Sequence, residues 1–178
     1  VPNKKALVFA IALGLALKGE ISRVSQFYRK NYFYPDLPKG YQITQYSVPI
    51  VKNAQILGKK IERINLEEET AKSLHLEDGT VLLDFNRAGI PLLEIVFAPE
   101  ISSPEEAKEI IRVLQATVRF LGISNADMEK GQLRVDVNVS VSPSKDELGT
   151  KVEIKNINSL KAISDAIKYE IERQKGLI

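Results

Sequence analysis

The stretch Leu133-Arg-Val-Asp-Val-Asn-Val-Ser-Val141 decides the fold, because its side chains alternate strictly between apolar and polar. Successive side chains of a β-strand point to opposite faces, so this stretch predicts a strand with one apolar and one polar face. The run Lys151-Val-Glu-Ile-Lys-Asn156 repeats the alternation. The segment between the two runs, residues 142–149, is rich in turn formers, which predicts a β-hairpin with a mobile polar loop.

The polar face of this hairpin has two interpretations. Antiparallel sheets commonly leave one face in water, and periodicity alone favours that interpretation. Alternatively, the face forms the floor of a polar cleft, which would place chemically useful groups side by side. The side chains concerned are Arg134, Asp136, Asn138, Glu153 and Lys155.

Composition bounds the class of protein. The 178 residues fit one domain of ordinary size, and a net charge of +2 is too small to indicate nucleic-acid binding by itself. Without cysteine there is no disulfide, thiolate metal site or cysteine nucleophile, which suits a reducing cytoplasm. The apolar run 6–17 is too short to span a bilayer. Because Leu7, Ile11 and Leu15 recur at helical spacing, we expect a buried helix there and not a signal peptide.

Three helices are predicted, together with several strands. The helices run from about Lys4 to Lys18, from the capping box at Ser103 to Gly122, and from near Ser159 to Gly176. Residues 50–66 predict a pair of strands that turn near Gly58. This order of elements predicts an α+β fold in which helices pack on one side of an antiparallel sheet.

The aromatic and basic segment 27–45 contains two prolines and is predicted to be extended and looped. Its Arg29 and Lys30 are placed to bind an anion above packed rings, although an aromatic surface loop explains the composition equally well. His75, the only histidine, lies in a turn-like stretch and is expected at the surface.

Two sets of carboxylates have metal-binding potential. The run Glu67-Glu-Glu69 directly follows a predicted strand; most such runs are solvated helix starts, but one at a strand end can hold a divalent cation. Glu94 stands in an apolar strand, where a buried carboxylate needs a cation or a strong donor beside it. A salt bridge to Arg87 or Arg134 and a metal ion satisfy that need equally well.

Four stretches, taken in chain order, resemble one known family. They are Arg29–Gln42, Asn86–Val96, Leu133–Ser140 and Gly149–Asn156. Together they are similar to the B subunits of the glutamyl-tRNA(Gln)/aspartyl-tRNA(Asn) amidotransferases, in the central part of the cradle domain. The resemblance implies a glutamine-synthetase-like catalytic fold. Residues 1–178 would then form a single partial cradle or kinase domain, without its amino-terminal segment and carboxy-terminal helical tail.

The resemblance also implies an activity, that of an ATP-dependent carbon–nitrogen ligase. Such a protein uses ATP and Mg²⁺ to phosphorylate the side-chain carboxylate of misacylated Glu-tRNA(Gln) or Asp-tRNA(Asn), and ammonia from an amidase subunit (A) completes the amidation. A small subunit (C), a cytoplasmic location and no membrane association are further expectations. We expect the isolated chain to be inactive. The alternative is a non-catalytic module that docks tRNA and the amidase subunit.

The resemblance also implies functional roles for individual residues of this chain. Glu67 or Glu68, with Glu94, are expected as metal ligands, and Arg29, Lys30 and Arg87 as ligands of phosphate or substrate carboxylate. Catalytic roles are expected for Arg134, Asp136, Asn138, Glu153 and Lys155. Where the family commonly has Ile-His-Leu-Glu-Glu-Asp, this chain has Ile64-Asn-Leu-Glu-Glu-Glu69, so the neighbourhood of Glu67 differs. After Glu94, Phe97-Ala-Pro-Glu100 replaces the usual Ser-Glu-Pro-Asp and removes a carboxylate next to the expected site.

Overall fold

A computed structural model describes residues 2–144 and 147–178. In them the chain forms three helices and ten strands, and all the strand pairs are antiparallel. The predicted α+β class is therefore confirmed, with the strands divided among several sheets instead of one. The chain divides into two compact units, Val1–Ala98 and Pro99–Ile178. The single domain expected over residues 1–178 stays a prediction.

The first unit contains one helix and eight strands. These are α1 (Lys4–Ala16), β1 (Glu20–Ile21), β2 (Tyr28–Asn31), β3 (Tyr41–Thr44), β4 (Val51–Ile56), β5 (Lys59–Glu68), β6 (Lys72–His75), β7 (Val81–Asp84) and β8 (Pro91–Phe97). A four-stranded sheet has the order β1-β4-β5-β8, while β2 pairs with β3 and β6 with β7.

Helix α1 packs on the four-stranded sheet, as the apolar run predicted. Ala10 and Leu13 are fully buried, but Leu15 is 63% exposed, so the expectation that Leu15 shares the buried side is wrong. The chain approaches the sheet closely at Gly19, where an added Cβ would lie 2.5 Å from a methyl carbon of Val51. No helix among the described residues is long and apolar enough to cross a membrane.

The strand predictions for this unit hold with one correction. Strands β4 and β5 form the predicted hairpin, which turns at Leu57 and Gly58 with positive φ angles of 49° and 76°. Segment 27–45 supplies β2 and β3. His75 is exposed, as expected, but it ends strand β6 and pairs with Val81, so its assignment to a turn is wrong.

The second unit contains α2 (Pro104–Phe120), β9 (Val135–Val139), β10 (Val152–Ile157) and α3 (Leu160–Lys175). Both helices begin where predicted, because the Ser103 and Ser159 side chains accept the N–H groups of Glu106 and Ala162. The two helices contact each other, and the apolar residues of the hairpin join a core that includes Ile111, Ile163 and Ile167.

The predicted hairpin is confirmed, since β9 and β10 pair antiparallel with Glu153 opposite Asn138. The register shifts between Ile154 and Ile157, where Lys155 and Asn156 form a bulge. Asn156 has a left-handed φ of 61°. Of the loop predicted to be mobile, Lys145 and Asp146 lie outside the described residues.

Candidate functional site

The carboxylate run 67–69 lies at the end of strand β5, so the strand-end alternative holds and the helix-start alternative is wrong. Glu68 pairs with the Lys39 ammonium, and its Oε1 accepts the Ile43 N–H at 2.8 Å. Glu69 is 9% exposed, and its carboxylate lies 3.6 Å from the Arg87 guanidinium. Glu68 and Glu69 are thus each compensated by a cation.

Glu67 has a different environment. The Thr44 hydroxyl donates a hydrogen bond to its carboxylate. Burial raises the pKa of Glu67, and the negative charges of Glu94 and Glu69 add to that rise, while the Thr44 hydrogen bond and the charge of Lys30 oppose it. The charge of a second carboxylate thus acts on this half-buried group, and no cationic side chain among the described residues forms an ion pair with it as Lys39 does with Glu68.

Glu94 lies on strand β8 directly opposite Asn65 of β5. Its side chain is exposed, so the predicted burial of Glu94 is wrong. Alternation places Leu93 and Ile95 on one face of the strand and Glu94 on the other, and the sequence does not indicate how far the Glu94 face is covered. The expected strong donor is present: the Asn65 Nδ2–H group donates to Glu94 Oε2 at 2.7 Å.

Asn65 is a polar residue beside the predicted site residues that sequence reasoning did not single out. It is 1% exposed, and its Oδ1 atom is buried without a hydrogen-bond partner among the described residues. Because side chains two residues apart share a face, Asn65 and Glu67 lie on the same face of β5, and pairing puts Glu94 there too. A signal existed in the sequence: a lone amide stands between the apolar residues Ile64 and Leu66.

The donor set on this sheet face suits a hard cation. No group of three or more His, Cys, Asp or Glu side chains that could hold a metal lies within residues 2–144 and 147–178. Glu67 and Glu94 supply two carboxylates, however, and Asn65 adds a buried carbonyl oxygen. Oxygen ligands of this kind are those that Mg²⁺ prefers.

Two of the three basic residues predicted in the first unit act on this run of carboxylates. The charge of Lys30 acts on Glu67, and Arg87 pairs with Glu69. The Arg29 guanidinium lies 4.6 Å from the centre of the Tyr41 ring, a cation–π arrangement, so an aromatic ring does pack beneath a basic group. Lys30 and Arg87 thus belong to the carboxylate cluster, while Arg29 stacks on the ring.

In the second unit, the polar side chains of the hairpin share one exposed face. Asn138 lies opposite Glu153, whose carboxylate is 3.4 Å from the Lys155 ammonium. Asp136 accepts the N–H of Asn156 at 2.7 Å and so holds the bulge. Arg134, also exposed, directly precedes β9. The five predicted residues therefore occupy one surface, an arrangement that fits both a solvated face and a cleft floor.

A cavity of about 530 Å³ lies elsewhere in the first unit, against the β6–β7 hairpin. Its lining includes Tyr32, Tyr34, Asp36 and His75, and none of the predicted site residues contributes to it. The cavity therefore gives no support to any of the predicted roles.

Fold and site together define an α+β protein in which two carboxylates and an amide share one sheet face, with basic side chains acting on the neighbouring carboxylates. The family described as the GatB/GatE catalytic domain matches residues 1–178, and the chain belongs to this family. The resemblance drawn from the four sequence stretches is thereby confirmed.

Three relatives show the closeness of the match. Each is the B subunit of an aspartyl/glutamyl-tRNA(Asn/Gln) amidotransferase. The protein of Coprothermobacter proteolyticus is 58% identical over 97% of this chain, that of Elusimicrobium minutum 54% over 100%, and that of Thermus thermophilus 51% over 100%. The chain spans 39% of the length of each of these relatives.

Proposed function

We propose that this chain is part of the ATP-dependent kinase in the B subunit of a tRNA-dependent amidotransferase, with a glutamine-synthetase-like catalytic fold. The family match and the names of the relatives support the class of enzyme. The observation that carries the chemistry is the placement of Glu67, Glu94 and Asn65 on one face of the β5–β8 pair. The proposed setting is the cytoplasm, in a complex with an amidase subunit (A) and a small subunit (C).

The proposed reaction solves a simple chemical difficulty, since a carboxylate is a poor electrophile towards ammonia. The side-chain carboxylate of Glu-tRNA(Gln) or Asp-tRNA(Asn) attacks the γ-phosphorus of ATP, and ADP leaves. The product is an acyl phosphate. Ammonia from the amidase subunit then attacks the acyl carbon, and inorganic phosphate leaves as the amide forms. No covalent protein nucleophile is needed, which agrees with a chain that lacks cysteine.

Glu67 and Glu94 are the proposed ligands of Mg²⁺. When bound, Mg²⁺ neutralises charge on phosphate oxygens during phosphoryl transfer. Glu68 is compensated by Lys39 and Glu69 by Arg87, so Glu67 is the member of the run whose charge most favours a cation. The raised pKa of Glu67 agrees, because it shows that the carboxylate charge is poorly stabilised in the protein alone.

The remaining proposed roles belong to basic and polar groups. Lys30, Arg29 and Arg87 bind phosphate or substrate carboxylate electrostatically. On the hairpin, Arg134 and Lys155 bind developing negative charge, and Glu153 orients Lys155 through their 3.4 Å ion pair. Asp136 and Asn138 orient these basic groups or bound water.

The test is Mg²⁺-dependent ATP binding by the complete B subunit with its partners. Glu94→Gln should weaken that binding by about tenfold or more, because the neutral amide is a poorer cation ligand. Glu77→Gln, which removes an exposed carboxylate elsewhere in the same unit, is the matched control. Unchanged binding in Glu94→Gln contradicts the metal assignment. Salt-sensitive tRNA binding without any ADP release on misacylated tRNA would favour the docking-module alternative.

A further inference from the structure

The end of strand β5 is fastened to the end of β3 by two buried amide side chains. Strand β4 pairs with β5 up to Ile64. Beyond this residue, the Leu66 N–H donates to Gln45 Oε1 at 2.8 Å, and Gln42 Nε2 donates to the Glu68 carbonyl at 2.8 Å. Gln42 is 8% exposed and Gln45 is 2% exposed. Because buried backbone groups need hydrogen-bond partners, these two bonds fix segment 42–45 against β5.

Thr44 lies within this fixed segment, and its side chain reaches Glu67. The hydroxyl group has one proton and two possible acceptors, which are Glu67 Oε1 and the Gln45 carbonyl. The carbonyl lies 3.3 Å away, which is longer than the usual range for a hydroxyl donor. An ionised carboxylate is also the stronger acceptor. The proton of Thr44 is therefore donated to Glu67.

This hydrogen bond determines the direction of the Glu67 carboxylate. The last side-chain torsion of a glutamate has a broad distribution, so the plane of its carboxylate is poorly defined without a partner. The bond from Thr44 holds Oε1, whereas Oε2 accepts no hydrogen bond among the described residues. One oxygen of Glu67 is thus fixed by the protein, and the other is left in a defined direction to bind a ligand.

We propose that Thr44 is a positioning residue that holds Glu67 in the orientation in which it binds the cation. The inference rests on the proposed function for the role of Glu67 as a ligand. Thr44 acts through Glu67 and does not itself contact the cation. Because Thr44 is 9% exposed and its segment is fastened to β5, the hydroxyl is in place before the cation arrives.

The experiment measures the Mn²⁺ affinity of the complete B subunit with its partners, by titration calorimetry and by the loss of the free-ion electron paramagnetic resonance signal. Thr44→Val keeps the branched shape without the hydroxyl and should weaken binding by about tenfold. Thr44→Ser keeps the hydroxyl and should bind nearly as tightly as the wild type. Thr117→Val is the matched control, since it removes a hydroxyl that donates to the Val113 carbonyl in α2, and its Mn²⁺ affinity should be unchanged.

A double mutant tests whether Thr44 acts through Glu67. Glu67→Ala has no carboxylate to hold, so Thr44→Val should cause no further loss of Mn²⁺ affinity in that background. A further loss of the same size as in the wild-type background would show that Thr44 acts elsewhere, which overturns the inference. If Thr44→Val fails to fold, Thr44→Ala replaces it, because it removes the hydroxyl without adding a methyl group at the site.

The outcomes separate this inference from the function beneath it. Equal Mn²⁺ affinity in the wild type and Thr44→Val, with weaker binding in Glu67→Ala, overturns the role of Thr44 and leaves the metal assignment intact. Tighter binding in Thr44→Val, or equally weak binding in Thr44→Ser, also overturns that role. Absence of Mn²⁺ binding in the wild type overturns both. Weaker binding in Thr44→Val and Glu67→Ala, with retention in Thr44→Ser, supports both.

Discussion

Replacement of Gln174 by methionine should destabilise the second unit by about 3 kcal/mol. Gln174 is 6% exposed and connects α3 to the end of β9. Its Nε2 donates to the Val139 carbonyl at 3.0 Å and to Glu170 Oε1 at 2.8 Å, and its Oε1 accepts the Val141 N–H at 2.8 Å. Each such bond contributes about 1 kcal/mol net, and methionine keeps the length of the side chain while it removes all three bonds.

Urea unfolding followed by far-UV circular dichroism measures the change in the free energy of unfolding. The control is Gln55→Met on the exposed side of β4, which should change stability by less than about 0.5 kcal/mol. Amide hydrogen exchange adds a local readout, since the Val141 N–H loses its acceptor and should exchange faster. A loss below about 1 kcal/mol in Gln174→Met, with unchanged exchange at Val141, would refute the reasoning.

Two further predictions concern pH and packing. The Arg173 guanidinium, with help from a neighbouring amide, lowers the pKa of Glu170 from 4.5 to about 2. The ionised Glu170 carboxylate therefore stabilises the fold fully above pH 4.5, and this stabilisation is lost as the pH falls towards 2. The free energy of unfolding of Glu170→Gln should accordingly change less with pH than that of the wild type across this range, as measured by acid unfolding. Gly19→Ala should lower the free energy of unfolding by about 1–3 kcal/mol, because the added Cβ would lie 2.5 Å from Val51. Gly176→Ala is the control and should leave stability nearly unchanged, since its Cβ would lie 3.6 Å from the nearest atom. Equal melting temperatures of the two variants would contradict this prediction.

The parts of the fold that depend on neighbouring residues could be predicted from the sequence. Ser103 and Ser159 start their helices because a cap needs only a side-chain oxygen and an N–H three residues ahead. The hairpin could be predicted because polar and apolar residues alternate along its strands. In the structure Asp136 and Asn138 are exposed, whereas Val139 is buried. The site residues of the hairpin could be assigned to one face for the same reason.

The parts that depend on distant partners could not be predicted in the same way. The exposure of Glu94 is decided by what covers its face of the sheet, and alternation along β8 does not contain that information. Gln174 reaches a carbonyl 35 residues away, so no local pattern identified it. Side-chain networks of this kind were therefore found only in the structure.

The bulge at Lys155 and Asn156 has a consequence for how the chain tolerates changes in length. Both residues are exposed, and the next one, Ile157, is buried at 7% exposure. One extra residue thus resets the alternation so that Ile157 returns to the core. Deletion of one bulge residue would leave a single residue between Ile154 and Ile157, so regular alternation would still direct Ile157 to the core. The bulge thus lets this strand accommodate one extra residue while both Ile154 and Ile157 keep their inward direction.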